Sequence, residues 1–549
     1  MTTRYRLASA HIGVAIAAFG VASLLGVLQG LSVADVEFPI RSESLYYLSV
    51  TAHGVLMALV FTTFFIMGLG YAFTEACLDR TTGRRTAWFA FWLGVLGTVL
   101  AAQTILRGQS SVLYTFYPPL QAHPLFYIGA TLLVVASWIW GGVFLASYRS
   151  WRRDHPARPA PLAVHGMLAT IIVWYLATAG LAAEVVGMLI PWSLAAYFEV
   201  ESGFLASFRT IDPVVARTYF WWFGHPLVYF WLLPAYVLWY TVLPKAVGGR
   251  LFSDPLARMV FVLFILLSTP VGFHHQFTDP GITAGWKLAH TISTYAILYP
   301  SFVTAFTVIA SLEIGARLKG GQGLFAWIGK LPWSDPFFAS VALAMISFTF
   351  GGFGGAINAA YAMNTMVHNT AWIMGHFHVT LGTTVALSFM GGTYWLLPRL
   401  TGRELRLTGL ARIQPYLWFI GMAIFSTSYH IAGLRGMPRR VFSGTLTGDY
   451  GQQWAGLASW ASIGGVILFV SALAFVMVVA ATWMTGRKLD TVPSFEFAVP
   501  LRPVTSLGLW DRYGMWTIVA IVLVLIAYAY PLLSLLSHER FGSPPYQPF

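Results

Sequence analysis

Long apolar runs, broken only by short polar stretches, repeat along the chain from its first turn to its last. None shows the two-residue alternation of a half-buried strand. Each is long enough, at 1.5 Å per helical residue, to cross a hydrocarbon core of about 30 Å. The pattern predicts thirteen membrane-spanning helices, over residues 7–32, 46–77, 86–106, 123–148, 162–190, 214–247, 257–277, 287–315, 336–362, 368–398, 411–435, 454–486 and 512–536. The longest gaps, 191–213 and 487–511, are too short for a soluble domain, so residues 1–549 form one integral-membrane domain. No apolar run is confined to a short leader with a cleavage site, and no signal peptide is expected. Tyr117-Pro118-Pro119 and Gly351-Gly352-Phe353-Gly354-Gly355 mark turns or close helix approaches. The expected fold is an all-α polytopic transmembrane bundle.

Composition agrees with the pattern. The chain is 57% hydrophobic and 9% charged, with a mean hydropathy of +0.69, whereas soluble domains carry roughly a quarter charged residues. The net charge of +12 would suggest nucleic acid in a soluble protein. Here it divides by side: with loops alternating across the membrane and the N-terminus inside, 23 of the 32 Lys and Arg lie inside and 9 outside. The positive-inside rule then places the N-terminus in the cytoplasm and, after an odd number of spans, the C-terminus outside. The partner of the basic excess is anionic lipid, not nucleic acid. A lone cysteine, Cys77, excludes an internal disulfide, a thiolate-bridged metal pair and a CxxCH haem attachment. Any such centre must sit on another subunit.

Six of the fourteen histidines fall within or at the ends of apolar spans: His53, His225, His274, His275, His376 and His378. Ionisable groups at that depth are expensive and usually functional. His53, His225, His376 and His378 each lie seven to eleven residues into a span entered from outside, about 10–16 Å below the outer surface. His274 and His275 close a span that runs outward, so all six share one layer. Residues two apart on a helix point about 200° apart, so His376 and His378 must serve two centres. His53 is the partner for one of them, giving a six-coordinate haem, while the other His leaves its iron an open face. His274 and His275 follow Pro270 and Gly272, where a helix can unwind, and with His225 they supply three imidazoles without thiolate or carboxylate. That set suits copper or zinc, and beside a five-coordinate haem a redox metal is favoured. Tyr229, four residues after His225, lies on the same helical face, next to the metal.

These residues resemble subunit I of the haem-copper oxidases, specifically the B-type, ba-type cytochrome c oxidases. The similarity is carried by Gly224-His225-Pro226-Leu227-Val228-Tyr229, by Gly272-Phe273-His274-His275, and by Val367-His368-Asn369-Thr370-Ala371-Trp372 running on to His376-Phe377-His378. It extends through Leu113-Tyr114-Thr115-Phe116-Tyr117-Pro118-Pro119 and Pro438-Arg439-Arg440. The resemblance implies that His53 and His378 ligate a low-spin haem b, that His376 ligates a high-spin a-type haem, and that His225, His274 and His275 ligate copper B. It further implies a covalent bond between His225 and Tyr229. It implies a subunit II with a dinuclear copper centre, cytochrome c or a similar carrier as donor, dioxygen as substrate, coupled proton translocation, and a bacterial or archaeal plasma membrane. Leu227 stands where A-type enzymes usually have Glu, which favours the B-type.

Tyr229, Tyr236 and Tyr240 recur at intervals of seven and four on one face of the sixth span, descending toward the cytoplasm, and Ser301, Thr304 and Thr307 add hydroxyls on the eighth. In the family such positions form the single proton path. Alternatively, Ser and Thr hydroxyls bond to carbonyls of their own helix. Arg439 and Arg440 sit outside against the positive-inside trend, as expected if they pair with haem propionates; His368 and Asn369 lie there too. Asn364 replaces an acid of a ba-type relative and takes no proton-loading role, and Glu184 is buried without an obvious partner. Nitric oxide reductase typically recruits a carboxylate near the copper-equivalent site, which the absence of Glu at 227 or 228 opposes. A quinol oxidase differs chiefly in its partner subunit. A transporter or non-catalytic haem carrier needs no third set of histidines beside a tyrosine.

Overall fold

A computed structural model describes residues 3–36, 39–442, 448–538 and 542–546. Among these, thirteen helices are long and apolar enough to cross a membrane. They are α1 (Arg6–Val33), α2 (Glu43–Cys77), α3 (Arg84–Leu106), α4 (Pro124–Asp154), α5 (Leu162–Tyr197), α6 (Pro213–Ala246), α7 (Asp254–Gln276), α8 (Ala284–Leu318), α9 (Pro336–Ala359), α10 (Trp372–Thr401), α11 (Thr408–Leu434), α12 (Gly451–Thr485) and α13 (Tyr513–Ser537). The described residues contain only isolated β-bridges besides helices and turns. The chain is therefore an all-helical, multi-pass membrane protein.

Several pairs consecutive in sequence pack side by side, α3 with α4, α5 with α6 and α11 with α12 most extensively. Small residues set the closest approaches: a Cβ on Gly97 of α3 would lie 2.4 Å from the carbonyl oxygen of Gly129 on α4, the spacing that lets backbones touch in a solvent as apolar as lipid. α6 and α2 are the most enclosed, with 89% and 83% of their apolar windows buried. Those two carry His225 and His53. At the periphery α3, α8 and α13 are 39% buried.

Three helices contain a π turn, at Leu56–Phe61 in α2, Val185–Leu189 in α5 and His378–Thr383 in α10. Such turns occur frequently at functional sites. Pro191 follows the second of them without ending its helix, so α5 runs to Tyr197, beyond the expected end at 190. The wider winding removes the intrahelical bond that proline cannot make. The Gly351–Gly355 run lies inside α9 and forms no turn. α10 starts at Trp372, not at 368. His368 and Asn369 occupy the turn before it, Asn369 at φ 58°.

Candidate metal centres

The regular helix of α7 ends at Ser268. Pro270 disfavours helical winding in the residue before it, and the chain re-forms only as a 3-10 turn over Phe273–Gln276. This break brings His274 and His275 against His225 of α6. The three ring nitrogens lie within 4.8 Å of one another, with His225 Nδ1 and His275 Nε2 3.4 Å apart. Imidazoles bound to one ion at about 2.0–2.1 Å bring their nitrogens to about this separation. No carboxylate or thiolate joins the group among the described residues. Trp221, one turn before His225, stacks on the His275 ring at 3.8 Å and 8°. Tyr229 lies one turn after it, ring centres 5.3 Å apart.

Sequence reasoning missed the residues that hold this break in shape. His290 of α8 is buried, and its Nδ1 accepts the N–H groups of Gly272 at 3.1 Å and Phe273 at 3.3 Å, while its ring stacks on Phe273 at 4.2 Å. It caps the 3-10 turn as an N-cap side chain caps a helix. Thr294, one turn on, donates to the His290 carbonyl at 2.6 Å and lies 3.1 Å from His274 Nδ1. Since its one proton goes to the shorter bond, it accepts from His274 Nδ1–H, leaving His274 Nε2 as the lone pair that can face a metal. His290→Leu orphans two buried N–H groups at about 1–3 kcal/mol each. We expect metal analysis of that variant to find copper below one per complex with haem retained, and His290→Gln, which keeps an acceptor, to restore it. Unchanged copper in His290→Leu would remove the capping role.

His53 and His378 face each other across a gap, ring centres 6.4 Å apart and planes within 16°. Two imidazoles bound to one iron from opposite sides at about 2 Å have ring centres roughly 6 Å apart, so the pair fits a bis-histidine haem. Both rings are oriented by backbone carbonyls: His53 Nδ1–H donates to Ala22 at 2.8 Å and His378 Nδ1–H to Met374 at 2.8 Å. Their Nε2 atoms are thereby left as lone pairs. The crowding is tight, since a Cβ on Gly26 would come within 2.9 Å of the His53 ring. His376 points elsewhere, toward α9, where a Cβ on Gly354 would meet its Nδ1 at 2.7 Å. The two histidines thus face apart, as the opposed directions of His376 and His378 require.

At the outer edge, cations gather without matching acids. Arg217 pairs with Asp279 at 3.0 Å, but Arg439 and Arg440 make no ion pair among the described residues. Arg439 donates to Asn369 Oδ1 at 2.7 Å. Arg440 lies over the Tyr114 ring at 4.5 Å and donates from Nη1 to Thr115 at 3.2 Å, its Nε and Nη2 without a hydrogen-bond partner among the described residues. Burial, with Arg440 alongside, lowers the Arg439 guanidinium to about 10. Burial tends to raise the Tyr114 phenol, but Arg440 and Arg439 outweigh it and bring it below its ordinary value. Burial, then Arg439 and Arg217, lower His368 to about 4. Its Nδ1 sits 2.9 Å from Asn364 Oδ1 and its Nε2 has no partner. An electropositive recess with orphaned guanidinium nitrogens fits the carboxylates of a haem edge.

Of the expected proton-path residues, Tyr240 and Thr304 meet directly, the phenol donating at 2.8 Å. Tyr236 and Thr307 are buried and their hydroxyls meet no partner of regular hydrogen-bond geometry among the described residues, Tyr236 lying beside Ser301. Ser301 and Thr304 donate back to Ile297 and Pro300 on their own helix, so the carbonyl-bonding alternative describes their protons. Glu184 is fully buried with both oxygens unpartnered, immediately before the π turn of α5.

Residues 6–467 match the family described as cytochrome c and quinol oxidase polypeptide I. The cytochrome c oxidase subunit 1 of Thermus thermophilus is 40% identical over 535 residues, covering 94% of this chain and 92% of that one. The chain belongs to the cytochrome c and quinol oxidase polypeptide I family. Subunit 1 of the cytochrome c oxidase of Synechocystis is 27% identical over 462 residues, covering 82% of this chain and 78% of its own. A haem-copper terminal oxidase dimer solved by cryo-EM superposes with a TM-score of 0.93 at 36% identity, covering all of this chain and 95% of that one. The chain is thus an oxidoreductase subunit of the haem-copper terminal oxidase type.

Proposed function

We propose that this chain reduces dioxygen to water between a high-spin haem, held by His376, and a copper ion held by His225, His274 and His275. In this reading electrons enter through a low-spin haem b between His53 and His378, and the high-spin haem is a-type. The observation that carries it is the coexistence of two separate ligand sets, the three-imidazole cluster and the facing His53/His378 pair, with His376 turned away from the second. When bound, the haems and copper supply electron transfer and the place where oxygen is held. His225 engages His275 through Nδ1 and keeps Nε2 unpartnered, the atom that a bond to Tyr229 would use. Tyr229 holds a phenolic proton beside the centre. Tyr236, Tyr240, Ser301, Thr304 and Thr307 deliver protons toward it from the cytoplasmic side, part of them coupled to translocation. Arg439, Arg440, His368 and Asn369 neutralise the haem propionates and fix the haem edges.

Electrons come from cytochrome c through a subunit II with a dinuclear copper centre, in the plasma membrane of a bacterium or archaeon. The names of the relatives support cytochrome c as donor, and the single cysteine requires a dinuclear copper centre to lie on another chain. The test is an optical spectrum of the dithionite-reduced complex with and without carbon monoxide, alongside iron and copper analysis. Two haems, one of them binding carbon monoxide, with copper in this subunit, are expected. A non-haem iron in place of copper would move the chain to nitric oxide reduction, and turnover with quinol but not cytochrome c would replace the donor.

A further inference from the structure

Where α1 and α3 begin, on the face that the basic residues assign to the cytoplasm, a cavity of about 320 Å³ opens between Arg4, Arg6, Tyr71, Glu75, Arg84 and Trp88. Neither helix has an acid in its first turn or a side chain bonded as its cap, so both turn the positive ends of their dipoles to this corner. Glu75 is buried and bridges Arg84 Nη2 at 2.7 Å and Arg4 Nε at 3.3 Å, and Arg4 also meets Asp79. Arg6 makes no ion pair among the described residues, and Arg84 commits only Nη2. Three guanidinium groups therefore face two carboxylates. Tyr71 forms part of the wall, 2% exposed, and its hydroxyl has no hydrogen-bond partner among the described residues.

A buried O–H without a partner and two helix starts without acids lack the same thing, an acceptor carrying negative charge. The cavity does not continue into the membrane. Below it the ring of His11 is closed in by Phe64, Tyr71 and Phe91 at 5.7, 5.1 and 4.9 Å, so this is a pocket and not a conduit. Leu7, Ala8 and Trp88 give it an apolar edge where the two apolar spans begin. We propose that this pocket binds a phosphate-bearing anion at the inner membrane face, held by Arg6, Arg84 and the Tyr71 hydroxyl. Two sources share that chemistry, the headgroup of an anionic phospholipid and free inorganic phosphate.

The test uses the intact oxidase complex in phosphatidylcholine nanodiscs containing a phosphatidylglycerol with a photoreactive headgroup, the cross-linked peptides being mapped by mass spectrometry. Labelling is expected on peptides covering residues 4–8 and 71–88. It should fall about tenfold in Arg6→Gln/Arg84→Gln, the loss of one to two charge-assisted contacts, and several-fold in Tyr71→Phe, which removes one oxygen, the haem spectrum staying unchanged in both. Competition by unlabelled phosphatidylglycerol but not by inorganic phosphate identifies the lipid, and equal competition by inorganic phosphate identifies the free anion. Labelling confined to other peptides, or equal in the wild type and both variants, overturns the proposal.

Discussion

His53→Ala is expected to remove one haem from the complex and leave the other with its carbon monoxide response intact, while His376→Ala does the reverse and both abolish turnover. The expectation rests on separation. His53 and His378 form a facing pair with ring centres 6.4 Å apart, whereas His376 turns to the Gly354 side of α9. Each of the two rings in the pair is oriented by its own carbonyl, Ala22 or Met374, so loss of one ring leaves the opposite one in place, and a haem iron held between them would lack a ligand. The measurement is haem content per polypeptide together with the reduced-plus-carbon-monoxide difference spectrum of each variant. Loss of both haems from either variant, or loss of the carbon monoxide response in His53→Ala, would show that the two ligand sets do not serve separate centres.

Tyr229→Phe should cut oxygen reduction by at least about a hundredfold, the low end of what a positioned proton donor contributes, with copper and haem contents unchanged. The hydroxyl is deleted, and with it the phenol that a bond to His225 requires. The ring keeps its packing against Phe264 at 5.3 Å and beside His225, so the cluster retains its walls. Turnover within a few-fold of wild type, with full metal content, would make Tyr229 a packing residue.

The helices were legible because a bilayer imposes a minimum length on every apolar run, and thirteen runs of that length yield thirteen helices. The end of α5 was not, because proline signals a stop only where the winding is regular, and nothing local reveals the π turn at Val185–Leu189. The directions of His376 and His378 could be read from helical phase because the winding between them is still α, the π turn starting at His378. His274 and His275 were legible from Pro270 and Gly272. His290 was not: its work is a bond to backbone N–H groups seventeen and eighteen residues earlier on another helix, and a single histidine in an apolar segment carries no mark of that. The hydroxyls of Ser301 and Thr304 share the interior face as their spacing predicts, yet where each proton points is decided by a side-chain rotamer, which spacing does not encode.

The π turns set the relative phase of the two halves in each of two histidine-bearing helices. Each is an α-helix carrying one surplus residue, lying at His378 in α10 and three residues past His53 in α2. Deleting one residue of 379–383 would let the turn rewind as regular helix with both halves of α10 still in phase, whereas winding all six residues as α would rotate the cytoplasmic half by about 100° relative to the outer half. In the second case Leu387, Phe389 and Met390, all buried, would swing out of their seats while His376 and His378 kept their positions. The wide turn is therefore what keeps the buried cytoplasmic half of α10 in phase with the half that carries the two histidines.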